Sequence, residues 1–169
     1  MSVRITHNAL IVAKQIKAYT RQLTSKYNKV VKRIAELGGT VAEANFSTAL
    51  YAGDNDVVVK VKRVSNTHYQ VIASGETVLF IEFGTGVSYP ELVEPSGLTY
   101  IHGTYGKLKG LNPNGWAYVG EQGNAGIPIK DKEGVFRTKG NPPARAMYDA
   151  SMDMRAEIER IFREEFQHK

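Results

Sequence analysis

A chain of 169 residues with 42% hydrophobic and 23% charged side chains has the composition of one folded domain, not of a disordered tract. At that length folding hides roughly 70% of the unfolded surface, enough for a single core. The absence of cysteine excludes disulfides, thiolate metal sites and cysteine nucleophiles, and the net charge of +5 is gathered at one end. Residues 1–38 hold eight Lys or Arg against the lone acid Glu36, a balance of +7, while the remainder nets to −2. No stretch reaches the ~20 apolar residues of a membrane span, and Lys14 and Lys17 interrupt the only apolar run near the start, so a soluble protein without a secretory leader is expected.

Apolar residues recur at Ala9, Val12, Ile16, Tyr19, Leu23, Tyr27, Val30, Ile34 and Leu37, always three or four apart. This spacing predicts a long amphipathic helix of about 43 Å over 9–37. Gly38-Gly39 then reads as its stop, and the weak helix formers Thr20, Thr24, Ser25 and Asn28 predict a bend near its middle. Residues 56–62 and 69–73, around a Ser65-Asn66 turn, predict a β-hairpin. The apolar run Val78–Phe83, broken only by Glu82, fits a buried strand or a helical turn equally.

Residues 84–132 are dense in Gly and Pro and predict a long loop. Its aromatic residues Tyr89, Tyr100, Tyr105, Trp116 and Tyr118 mark it as an assembly surface, because aromatic anchors dominate interface hot spots. Val135–Thr138 predicts a short strand. Asn141-Pro142-Pro143 then sets up a C-terminal helix over 141–168, with Asn141 as its cap and Arg160–Glu164 and Glu159–Arg163 among its exposed i,i+4 pairs.

No catalytic grouping stands out. His7, His68, His102 and His168 have no metal-ligand spacing, and neither a nucleophile elbow nor a phosphate-binding loop is present. Glu82, Glu91 and Glu94 form no specific acid pair and read better as loop acids or ion-pair members. No enzymatic activity and no cofactor are expected. The basic residues Lys14, Lys17, Arg21, Lys26, Lys29, Lys32 and Arg33 of the first helix suit either phosphate contacts or a surface facing solvent or a subunit. Glu82, alone among apolar neighbours, calls for a buried partner, and Arg145 is the expected one.

The run Glu82-Phe83-Gly84-Thr85-Gly86 resembles the EFGTG signature of the head-tail joining, neck or tail-completion proteins of tailed bacteriophages and prophages. Downstream, Gly140-Asn141-Pro142-Pro143-Ala144-Arg145 is similar to that family's proline-alanine-arginine approach to its last helix. The chain departs from the pattern at Asn45–Leu50, where relatives carry a proline-x-x-threonine-glycine segment, and at Ala146, where many have proline.

The expectation is therefore one α+β domain over 1–169, with a small antiparallel sheet packed by an N-terminal and a C-terminal helix and a long projecting loop. The resemblance implies a structural virion protein at the head-tail junction, made in the host bacterial cytoplasm. It further implies a homo-oligomeric ring, a hexamer where it matches the tail's symmetry, contacting head-closure or connector proteins and tail-tube or tail-terminator proteins, with DNA passing through. The alternative from another class is a DNA-binding accessory protein using the basic first helix.

Overall fold

The computed structural model describes residues 5–85 and 115–167. Its elements are α1 (Ile5–Thr48), β1 (Val58–Arg63), β2 (Tyr69–Ser74), α2 (Val78–Phe83), β3 (Trp116–Val119), β4 (Ile127–Pro128), β5 (Val135–Thr138) and α3 (Ala146–Gln167). Long helices packed with small antiparallel sheets make this an α+β fold.

Helix α1 runs unbroken for 44 residues, about 66 Å. The weak formers do not break it: Thr20 and Thr24 sit within the helix with their hydroxyls bonded back to the carbonyls of Ile16 and Thr20, both at 2.9 Å. Nor does Gly38-Gly39 end it. A Cβ on Gly38 would overlap Met154 Sδ of α3, and one on Gly39 would overlap Val61 Cγ2 of β1. The two glycines are flat places where α3 and the hairpin approach the helix, and that packing offsets their propensity cost of about 1 kcal/mol each. The helix ends ten residues later, where Asn55 donates to the Phe46 carbonyl at 2.9 Å and Asn124 to that of Ala49 at 2.7 Å.

Helices α1 and α3 run antiparallel, since Lys26 meets Phe166, Arg33 meets Glu164 and Glu165, and Gly38 meets Met154. The predicted hairpin forms, with β1 and β2 paired in register from Val58↔Ser74 to Arg63↔Tyr69. A second sheet, in the order β3-β5-β4, lies partly within the stretch expected to be loop, so Trp116 and Tyr118 belong to a strand. The reason is non-local: β3 is organised by its partner β5, residue by residue from Trp116↔Thr138 to Val119↔Val135. Asn124 joins this sheet to the end of α1, its amide oxygen accepting from the Tyr51 N–H at 2.7 Å.

The ambiguous run Val78–Phe83 is the short helix α2. Asp56, at the foot of the hairpin, decides this by accepting from the backbone N–H of Glu76 and Thr77 and from the Thr77 hydroxyl at the start of α2. The core lies where these elements converge: Phe46, Ala49, Ile81 and Ala146 are buried together, flanked by Val57, Val59, Ala73 and Met147.

Two outcomes follow for stability. Gly38→Ile should destabilise the fold by about 1–3 kcal/mol through overpacking, whereas Gly38→Ala should be near neutral, as the flexible Met154 yields and helix propensity rises; urea unfolding separates the two. Asp56 is held below its usual carboxylate range by the Thr77 hydroxyl and neighbouring N–H groups, and Glu164 by Arg33 and Arg160. Both titrate lower folded than unfolded, so their stabilisation is complete above about pH 4–4.5 and is lost as pH falls through the folded values. Thermal unfolding should accordingly show a midpoint that drops below pH 4, and less steeply in Asp56→Asn.

Candidate functional site

The two sequence motifs are far apart in the chain, with bonds between them spanning 56 to 66 residues, and fold onto each other. Helix α2 leaves the carbonyls of its last turn without helical partners, and the chain before α3 supplies donors: the Ala144 N–H bonds the Ile81 carbonyl at 2.8 Å and the Arg145 N–H that of Glu82 at 3.1 Å. In return the Glu82 carboxylate accepts from the N–H groups of Met147 at 2.9 Å and Tyr148 at 3.2 Å, in the first turn of α3. Each helix end thus caps the other. Glu82 is only 5% exposed, and its charge sits at the positive end of the α3 dipole.

This replaces two expectations. Among the described contacts the Glu82 carboxylate meets the start of α3, whereas the Arg145 guanidinium bonds Asp149 at 2.9 Å and lies 4.9 Å over the Tyr148 ring. Asn141 is not the cap of α3, which begins at Ala146, because the N–H groups of Ala144 and Arg145 are committed to α2. Its side chain donates instead to the Phe80 carbonyl at 2.9 Å, and its backbone exchanges bonds with the N–H and hydroxyl of Thr85 at 3.2 and 3.1 Å.

Gly84 turns this corner at φ +69°, where a Cβ would press on Pro143 N at 2.6 Å; the buried Pro143 packs directly behind it. Arg145 also takes a positive φ, +56°, which aims its N–H at α2 while its carbonyl starts α3 by accepting from Asp149 at 2.8 Å. Phe83 is half-buried beside them. Gly86 lies outside the described residues.

Beside this clasp is an open cleft of about 210 Å³, walled by Tyr51, Phe80, Thr85, Trp116, Tyr118 and Asn141 among others. Among the described residues its lining holds no carboxylate, histidine or cation, and burial pushes the Tyr118 phenol upward while its hydroxyl donates to the Gln122 carbonyl at 2.7 Å. Trp116 and Tyr118 are half-buried in this wall, so as assembly anchors they are restricted. Tyr89, Tyr100, Tyr105, Glu91 and Glu94 lie outside the described residues, as do His102 and His168 and the side chain of His7. His68 is exposed in the hairpin turn, where its carbonyl accepts from Val64 and Ser65. Among the described residues no three His, Asp or Glu side chains gather as metal ligands.

The basic residues of α1 separate into two groups. Arg33 is committed within the chain to Glu164 at 2.7 Å and Glu165 at 2.9 Å, Lys32 pairs with Glu36 at 3.4 Å, and Lys26 lies over the Phe166 ring. Lys14, Lys17, Arg21 and Lys29 are exposed. So is every residue from Asn8 to Ser25, including Val12, Ile16, Tyr19 and Leu23 of the apolar stripe, with Ile16 at 61% and Tyr19 at 65%. Sequence periodicity finds this stripe but cannot tell that half of it is left uncovered by the fold. Among the described residues no helix is long and apolar enough to cross a membrane.

Neither a family model, a curated protein nor a solved structure matches the chain.

The mutual capping makes a direct prediction. Glu82→Ala strands two part-buried N–H groups and should cost about 1–3 kcal/mol, while Glu82→Gln, which keeps one acceptor oxygen but loses the charge, should cost about 0.5–1.5 kcal/mol. Chemical denaturation of both variants measures this, and equal stability of Glu82→Ala and the parent chain would remove the clasp from its central place.

Proposed function

We propose that the chain is a structural virion protein of a tailed bacteriophage or prophage, working as a homo-oligomeric ring in the neck or tail-completion region where head joins tail and DNA passes. The observation that carries this reading is the clasp. The EFGTG-like and proline-alanine-arginine-like segments, which the sequence resemblance picks out separately, are joined through Glu82, Gly84, Thr85 and Asn141 into one buried unit. A shared structural reason for both motifs supports a common origin with that family. The exposed apolar stripe of α1 supports a role in assembly, since contiguous exposed apolar surface marks interaction sites.

The test is imaging of intact tailed particles that contain the chain. Multiple copies around the axis at the head-tail junction, hexameric if the tail's symmetry is followed, are the expected outcome; a single copy, or density away from the junction and tail, overturns the reading.

A second reading is favoured by one observation: Lys14, Lys17 and Arg21 lie exposed on the projecting half of α1, with the exposed Lys29 just beyond it, positioned for phosphate contacts. It describes a DNA-binding accessory protein. Duplex affinity falling steeply with salt, and lost in Lys14→Glu/Arg21→Glu, would favour it over the ring.

A further inference from the structure

We infer that the projecting half of α1 docks against the same segment of a second copy of this chain, seam to seam. The inference stands on the helix alone and does not depend on the functional reading.

From Ala9 to Leu23, Ala9, Val12, Ile16, Tyr19 and Leu23 alternate by three and four, the a/d pattern of a left-handed coiled coil, while the exposed Leu10 and Ile11 fall at b and c, outside that seam. At Leu23 and Tyr27 the pattern steps by four twice in succession, a stutter that shifts the stripe's phase. The change falls at the boundary in burial. Beyond it Val30 and Ala35 are buried in the body, and before it every residue from Asn8 to Ser25 is exposed. The first seam is therefore a separate surface, about 27 Å long over Asn8–Ser25, and not a frayed extension of the contact with α3.

Charge placement identifies the occupant. In a coiled coil the e and g positions flank the seam and decide which partners are tolerated. Here they are Asn8, Ala13, Gln15, Thr20 and Gln22, none charged. The cations Lys14, Lys17 and Arg21 all fall at b and f, on the side turned away from the seam. A helix selected to meet an acidic partner or an anionic surface would carry its cations beside the apolar stripe. With neutral flanks, two copies of a basic helix can meet without like-charge repulsion across the interface. Just over two heptads make a marginal coil, so the contact is concentration-dependent, strengthening as further contacts between the bodies accumulate.

Sedimentation of the full chain tests this. The parent chain should self-associate in the micromolar range. Ile16→Glu/Tyr19→Glu should weaken association at least tenfold with the unfolding midpoint unchanged, since both side chains are exposed in the single copy. The diagnostic variant is Gln15→Lys/Thr20→Lys, which places cations at the g and e positions that face each other across a parallel pair. It should also weaken association at least tenfold, and mixing it with Gln15→Glu/Thr20→Glu should restore it. A chain that stays monomeric to 200 μM (on the order of 100-fold above the expected range) overturns the inference. So does tighter binding of the Lys variant to phosphatidylserine vesicles or duplex DNA without self-association, which would assign the seam to an anionic surface.

Discussion

The buried carboxylate of Glu82 and the first turn of α3 satisfy each other, and the surrounding geometry follows from that constraint. A buried helix start must find acceptors for its free N–H groups, and a buried carboxylate must find donors. Here one contact meets both needs. It fixes the distance between α2 and α3, which in turn requires Gly84 to pass close to Pro143 and requires Arg145 to adopt a left-handed backbone so that α3 can start in the correct direction. Ile81 and Ala146, both fully buried, sit directly beside the contact and join it to Phe46 of α1.

The body is therefore a set of caps supplied across long sequence distances. Asp56 holds the Glu76–Thr77 turn that leads into α2, Glu82 caps α3, and Asn55 and Asn124 close the end of α1. With a small apolar core, each of these polar contacts carries a larger share of the specificity, since a helix begun one residue early or late would leave its cap unmatched. The second sheet is attached largely through Asn124, whose side chain both accepts from Tyr51 and donates to Ala49.

Local periodicity made the hairpin, the last helix and the α+β class readable, because alternation and three-four spacing are properties of a few neighbouring residues. The errors arise where a residue's meaning depends on something distant. Gly38-Gly39 has the local form of a helix stop, yet its role is set by Met154 and Val61. Asn141 before two prolines has the form of a helix cap, yet α2 captures that segment and Glu82 supplies the cap. Val78–Phe83 was ambiguous because Asp56, about twenty residues earlier, decides it. For the candidate interface, the stripe on α1 was legible and its phase shift was written in the spacing, but only the extent of α3 reveals which half stays uncovered.

The uninterrupted course of α1 through its glycine pair has a mechanical consequence. Because α3 and the hairpin grip the helix along its second half, the first half is a cantilever whose direction is set entirely at the clamp. Over about 27 Å of free length, a tilt of about 5° at the grip moves the tip by roughly 2 Å, and a rotation about the axis turns its apolar stripe by the same angle. Small repacking around Gly38 and Met154 would thus be read out as a displacement far from the core, converting a local adjustment into a change of reach.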